Sequence, residues 1–144
     1  MSANSNISFF NDGIKFTLKN KKKIIAWIET IIKQNKYKIE NINYVFCNDK
    51  YLHTINLKFL HHDTYTDIIT FDYSDKKSKT VSADIFISIE RVKENAQTLK
   101  TSFSLELQRV LIHGVLHLLG YKDKTKAQKV AMRKLEDKCL SLFK

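Results

Sequence analysis

Residues 104–118 constrain the fold of this chain more than any other segment. Their apolar side chains recur at helical spacing, but they occupy too much of the circumference for a helix that lies on a protein surface. These side chains are Leu105, Leu107, Val110, Leu111, Val115 and Leu118. The sequence therefore predicts a central buried helix enclosed by other elements, and the polar residues on that helix need an explanation.

The rest of the chain alternates between strand-like and helix-like patterns. Alternating apolar residues predict strands at 7–18 (one or two strands around a turn), 42–46, 68–73 and 81–89. Helical spacing, with a capping box formed by Thr125 and Gln128 before the last element, predicts further helices at 21–33, 52–59, 90–99 and 125–142. This order predicts an α/β (α+β) single domain over residues 1–144, with a mixed β-sheet of about four strands flanked by about five helices.

The charge balance favours a polyanionic partner. Lys and Arg together number 25 against 15 Asp and Glu, which leaves a net charge of +10. Such a charge promotes association with nucleic acid because basic side chains release its counterions. Lysines that are simply solvated would produce the same balance, so charge alone does not establish an RNA partner.

Composition also bears on location. No apolar stretch approaches the ~18 residues of a membrane span, and the first residues lack the pattern of a secretory signal. Cys47 and Cys139 fall far apart in apolar periodic segments, which is typical of reduced core thiols. We therefore expect a cytoplasmic protein with no membrane partner.

The predicted central helix carries a candidate metal site. His113 and His117 are four residues apart, so both imidazoles project from the same helical face. Gly120 can adopt the left-handed conformation that ends a helix, which lets the chain turn back and bring Asp123 towards that face. Two imidazoles and one carboxylate leave a coordination position open, as in catalytic zinc sites. The alternative is a pair of packed histidines without a metal.

The residue after the first histidine argues against one class of metal hydrolase. A gluzincin-type protease carries Glu there, in the pattern H-E-x-x-H, whereas this chain has Gly114. Peptide hydrolysis by that route is therefore disfavoured. A glycine inside a helix costs roughly 1 kcal/mol, so Gly114 indicates that something packs closely against the backbone.

These motifs are similar to those of a known family. The segment HGVLHLLGYKD, residues 113–123, resembles the signature H-G-x-L-H-L-x-G-Y-D-H of the YbeY endoribonuclease (rRNA maturation factor) family, with seven fixed positions matched. Those positions are His113, Gly114, Leu116, His117, Leu118, Gly120 and Tyr121. Residues 56–71, with Asp63, Thr66, Asp67 and Phe71, and residues 83–88 are similar to two further segments of that family.

Two departures from the family pattern affect what the resemblance implies. The third histidine ligand of the family is replaced by Asp123, so zinc is the expected ion but another divalent transition metal is compatible. Leu60 occupies the position where the family's upstream segment has an arginine. That arginine is proposed to contact RNA or to stabilise phosphate charge, and a leucine can do neither.

The resemblance implies one zinc ion per chain and cleavage of single-stranded RNA. It further implies a role in maturation of the 3′ end of small-subunit (16S) rRNA and in ribosome quality control. The implied partners are ribosomal RNA, the small ribosomal subunit, and ribosomal or GTPase assembly factors. The basic residues that flank the proposed site and could bind phosphates are Lys58, Arg109, Lys122, Lys124 and Lys126.

Two other functions remain open from the sequence. One is a non-enzymatic ribosome-biogenesis factor that binds RNA and uses the metal for folding. The other is a metal hydrolase with a different substrate, because Leu60 lacks the charge of the family's arginine.

Two acidic residues have other expected roles. Asp84 either orients a ligand histidine or caps a neighbouring backbone, and Glu106 complements the dipole at the start of the central helix.

Overall fold

Four strands form one mixed sheet in the computed structural model, which describes residues 6–143. They are β1 (Ile7–Asn11), β2 (Lys38–Cys47), β3 (Ile68–Asp72) and β4 (Thr80–Ser88). Their order is β1-β2-β4-β3, with β1 and β4 both parallel to β2 and β3 antiparallel to β4. The predicted mixed sheet is confirmed.

Five helices flank this sheet within the described residues. They are α1 (Lys21–Gln34), α2 (Asp49–Leu60), α3 (Ile89–Thr98), α4 (Phe103–Leu118) and α5 (Lys126–Ser141). Side chains cap several N-termini: Asn48 accepts a hydrogen bond from the Tyr51 backbone N–H, and Thr125 forms the predicted capping box with Gln128. The predicted α+β single domain is therefore confirmed.

Helix α4 is the buried central element that its sequence predicts. Leu111, Ile112 and Val115 on this helix are 0% exposed, and the Tyr44 hydroxyl donates to the Leu111 carbonyl oxygen at 2.9 Å. With α1 it covers one face of the sheet, against alternate residues of β2 and β4. A smaller apolar cluster, which includes Leu52 and Ile55 of α2, covers the opposite face.

Gly114 explains how closely α4 approaches the sheet. A Cβ atom at this position would lie 3.1 Å from Cδ1 of Ile68 and 3.2 Å from Cδ1 of Ile85. The expectation that something packs against this backbone is confirmed. The contact fixes α4 beside β3 and β4, and so fixes the position of the histidines on either side of Gly114.

We expect Gly114→Val to lower the free energy of unfolding by about 1–3 kcal/mol, because the added methyl groups overpack the contact with Ile68 and Ile85. Urea denaturation followed by circular dichroism measures the change. Ala131→Val, at an exposed position of α5, is the matched control and should cost less than ~1 kcal/mol. Equal losses in the two variants would contradict the close-packing explanation.

The N-terminal region forms one strand, not two. β1 ends at Asn11, and Gly13 then turns the chain with a φ of 74°. Ile14, Phe16 and Leu18 pack against the core from an irregular segment, which the Asn11 side chain holds by donating to the Phe16 carbonyl oxygen at 2.7 Å. Their alternation reflects burial on one side without strand pairing.

Candidate metal centre

Two histidines of α4 and one aspartate after it bring their side chains together. In the described part of the chain, His113, His117 and Asp123 form one group whose candidate ligand atoms all lie within 4.8 Å of one another. His113 Nε2 lies 3.1 Å from His117 Nε2 and 3.3 Å from Asp123 Oδ2. His117 Nε2 lies 3.4 Å from Asp123 Oδ1.

The separation of the two nitrogens, with one Asp123 oxygen near each of them, is close to that expected around one tetrahedrally coordinated ion. Ligand bonds of ~2.0–2.1 Å at tetrahedral angles place neighbouring donor atoms about 3.3 Å apart. Two imidazole nitrogens and a carboxylate oxygen are also a donor set that zinc accepts. The residues present therefore fit a single transition-metal ion.

Gly120 brings Asp123 to the histidines. Its φ of 101° ends α4 in the left-handed conformation, as its sequence position predicts. The Gly120 N–H donates to the His117 carbonyl oxygen at 3.0 Å, and the Tyr121 N–H donates to the Leu116 carbonyl oxygen at 3.1 Å. The chain then turns back, so that the Asp123 carboxylate lies beside both histidines.

Glu136 of α5 orients His113. Its Oε2 lies 2.6 Å from His113 Nδ1, and since an ionised carboxylate can only accept, the imidazole donates from Nδ1. In the neutral ring this leaves the lone pair of Nε2 directed at the other two donors. A carboxylate behind a ligand histidine fixes its tautomer and raises its basicity.

Arg109 holds Glu136 in turn. Its Nη1 donates to Glu136 Oε1 at 3.0 Å, and its Nη2 donates to Asp137 Oδ1 at 2.7 Å. A continuous series of hydrogen bonds thus runs from Asp137 through Arg109 and Glu136 to His113, and it joins α5 to α4. Sequence analysis missed Glu136, although its position on the buried face of α5 with Met132 and Cys139 was a signal that it needed a partner.

The two histidines differ electrostatically. Burial acts to lower the pKa of His113, but the hydrogen bond and charge of Glu136, with the charges of Asp123 and Asp67, outweigh burial and raise the pKa. Burial and the neighbouring His113 lower the pKa of His117, and Asp123 offsets this only in part. The lowered pKa favours the neutral form of His117, which is the form that binds a metal.

The three donors line a cavity of about 980 Å³ that also contains buried carboxylates. Glu106 lies in the first turn of α4, as the dipole argument expects, but its side chain is buried and lines this cavity. Burial, with the nearby charge of Asp67, raises the pKa of Glu106. Leu60 lines the same cavity from the end of α2.

The candidate phosphate-binding residues are distributed unevenly around this cavity. Lys124 and Arg109 line it, but the Arg109 side chain is only 13% exposed because Glu136 and Asp137 surround its guanidinium. Lys58 lies in the last turn of α2, Lys126 begins α5, and Lys122 is an exposed residue of the intervening loop. These three do not line the cavity.

Asp84 takes neither of the roles considered for it. Its neighbours Ala83 and Ile85 point to the α4 face of the sheet, so Asp84 points to the opposite face. There its carboxylate accepts a hydrogen bond from Asn43 Nδ2 at 3.1 Å and interacts with the Tyr73 hydroxyl. Asp84 therefore lies on the face of the sheet opposite α4, away from His113 and His117.

The fold and the site define an α+β protein with a candidate three-ligand metal centre in a wide cavity. A sequence profile described as "Endoribonuclease YbeY" matches residues 7–144. This chain belongs to the YbeY family.

No helix among residues 6–143 combines the length and the apolar character needed to cross a membrane.

Individual relatives agree with the family profile. The chain is similar to proteins named "Endoribonuclease YbeY" from Cytophaga hutchinsonii, with 52% identity over 96% of each chain, and from Amoebophilus asiaticus, with 48% identity over 92% of this chain and 89% of the relative. A solution structure of a Thermotoga maritima protein has the same fold, with a TM-score of 0.63 and 24% identity. That match covers 94% of this chain and 89% of the solved one.

Proposed function

We propose that this protein is a metal-dependent endoribonuclease that cleaves single-stranded RNA, and that residues 1–144 act as one YbeY-like hydrolase domain. The observation that carries the proposal is the grouping of His113, His117 and Asp123 on the wall of a large cavity. Membership of a family whose members are named endoribonucleases supports RNA as the substrate. The net charge of +10 is compatible with a polyanion.

The proposed cofactor is one zinc ion per chain, held by His113 Nε2, His117 Nε2 and a carboxylate oxygen of Asp123. The donor separations and the orientation of His113 by Glu136 support this assignment. Another divalent transition metal is compatible, because Asp123 is a harder donor than the histidine of the family signature. When bound, the ion would activate water for attack and stabilise negative charge on the attacked phosphate.

The protein's own residues prepare the site for this chemistry. Glu136 keeps the Nδ1 proton on His113, so that Nε2 is the donor atom facing the cavity. The cavity lies at the upper end of the ~300–1,000 Å³ range of small-molecule pockets, which leaves room for a length of polymer. Buried Glu106 and partly buried Asp67 line the cavity, and desolvation raises the pKa of both carboxyls.

The flanking lysines are proposed to hold RNA phosphates. Lys58, Lys122, Lys124 and Lys126 have no carboxylate within ion-pair distance among residues 6–143, so their charges are available to a polyanion. The sequence predicts that Arg109 binds phosphates together with these lysines. Its charge is engaged by Glu136 and Asp137, so its contribution is to hold Glu136 in place.

The proposed biological role follows the family resemblance. The RNA would be the precursor of small-subunit (16S) rRNA, processed at its 3′ end, with a further role in ribosome quality control. The small ribosomal subunit, together with ribosomal or GTPase assembly factors, would be the partners, and the cytoplasm the location.

Metal removal tests the proposal. Zinc-loaded protein should cleave a small-subunit rRNA precursor, lose that activity when a chelator strips the metal, and regain it when zinc is restored. Cleavage that continues after verified metal loss would contradict a metal-dependent reaction. RNA binding without cleavage would favour the non-enzymatic biogenesis factor, and turnover of small phosphodiesters or amides but not RNA would favour a hydrolase of another substrate.

A further inference from the structure

The three arginines of this chain have different surroundings. Arg91 pairs with Asp49 at 2.6 Å, and Arg109 pairs with Glu136 and Asp137. Arg133 on α5 is exposed and has no carboxylate within 4.0 Å among residues 6–143. Its guanidinium is therefore the one in the described chain whose charge no ion pair offsets.

Arg133 belongs to the wall of the metal-site cavity. It lines this cavity together with His117 and Asp123, one helical turn before Glu136 on the same helix. Its positive charge acts on buried Glu106 and partly offsets the rise that burial causes in the pKa of the Glu106 carboxyl. Arg133 is thus an exposed residue of the cavity wall whose charge reaches a buried carboxyl there.

The cavity needs a free cation if it is to admit RNA. Five carboxylates line it against three permanently cationic side chains, although the whole chain is strongly basic. The carboxylates are Asp67, Asp72, Glu106, Asp123 and Glu136, and the cations are Arg109, Lys124 and Arg133. Two carboxylates already engage Arg109. The cations left to attract a phosphate are therefore Lys124 and Arg133.

Helix α2 contributes no cation to the cavity wall. Leu60, at the end of α2, lines the cavity at the position where the family signature has arginine, and it carries no charge. A guanidinium binds a phosphate through two parallel N–H donors, whereas the ammonium of Lys124 acts as a point charge. Arg133 is thus the group in the described cavity wall that can make a bidentate phosphate contact without breaking an ion pair.

We infer that Arg133 binds a phosphate of the RNA strand inside the metal-site cavity, and so supplies from α5 the guanidinium that is missing from α2. The inference rests on the proposed function, since it takes RNA as the occupant of the cavity. It makes Arg133 a substrate-binding residue and gives Arg109 a different task, that of positioning Glu136.

The test compares Arg133→Ala with Lys134→Ala. Both variants remove one positive charge from neighbouring exposed positions of α5, but Lys134 does not line the cavity. Binding of a short fluorescein-labelled single-stranded RNA to the metal-stripped full-length chain is followed by fluorescence anisotropy at several salt concentrations. Cleavage of the same RNA by the zinc-loaded proteins is measured in parallel.

Arg133→Ala should weaken RNA binding roughly tenfold and reduce the slope of log Kd against log salt by about 0.7, the value for one phosphate contact on a single strand. Lys134→Ala should change Kd less than about twofold. Arg133→Lys should restore the salt slope but only part of the affinity, because it returns the charge without the paired donors.

Equal effects of Arg133→Ala and Lys134→Ala on binding would overturn the inference, since general surface charge would then explain both. Unchanged binding in Arg133→Ala would also overturn it. If the wild-type protein binds RNA but does not cleave it, the proposed nuclease function fails while the binding data still decide the role of Arg133. If the wild-type protein does not bind RNA, both proposals fail.

Discussion

His117→Ala should abolish metal-dependent RNA cleavage and lower zinc affinity by roughly 100-fold or more, since even residues that only support a ligand typically contribute 10–100-fold. The variant removes one of three candidate donors whose ligand atoms lie within 4.8 Å of one another. Zinc affinity is measured by competition with a chromogenic chelator, and cleavage is measured on an rRNA precursor. The fold should persist, because His117 is partly exposed at the cavity and lies outside the apolar core.

His61→Asn provides the matched control. His61 is an exposed histidine at the end of α2, and asparagine tolerates its positive φ of 57°. This control should bind zinc and cleave RNA as the wild type does, when it is purified in the same way. Equal cleavage by His117→Ala and wild type, with one zinc bound per wild-type chain, would point to a contaminating ribonuclease or to a site elsewhere.

Glu136→Gln should reduce zinc affinity by about 10–100-fold without removing any donor atom. The amide has nearly the same shape as the carboxylate, but it has no charge to favour a proton on His113 Nδ1, and it leaves Arg109 with Asp137 alone. Chelator competition measures the affinity. The loss should be accompanied by a lower His113 pKa in the metal-free protein, detectable by NMR titration, since Glu136 opposes the effect of burial there.

Asp137→Asn tests whether zinc affinity depends on the contact of Glu136 with His113 or on the ion pairs of Arg109. Asp137 is 60% exposed and contacts Arg109 but not the histidine, so this variant should change zinc affinity by less than about threefold. If Glu136→Gln bound zinc as tightly as the wild type, the orientation of His113 would have to depend on other contacts.

The sequence was sufficient to predict the parts of the site that lie close together along the chain. His113, Gly114, His117, Gly120 and Asp123 all lie within eleven consecutive positions, and their geometry depends on helical spacing and on one left-handed glycine. Such local constraints can be read from one segment. The central helix was also predictable, because an apolar circumference requires burial whatever encloses it.

The parts that could not be predicted depend on how distant elements cross. The bond between Glu136 and His113 spans 23 positions and exists because α5 packs beside α4. The same crossing engages Arg109, which sequence analysis had treated as available to RNA. The role of Asp84 depends on which face of the sheet receives α4, and alternation within β4 does not say by itself which face that is.

Two of the candidate donors lie on a buried helix and the third lies on a loop, so the third can be exchanged more easily among related proteins than the first two. His113 and His117 are fixed by a helix that Gly114 locks against the sheet, so neither candidate donor can shift its position unless a packed element moves. Asp123 follows the end of that helix, is one-third exposed, and belongs to neither apolar cluster. Exchange of the third donor therefore requires no repacking, and the preference for a harder or softer metal can change through one codon while the architecture stays intact.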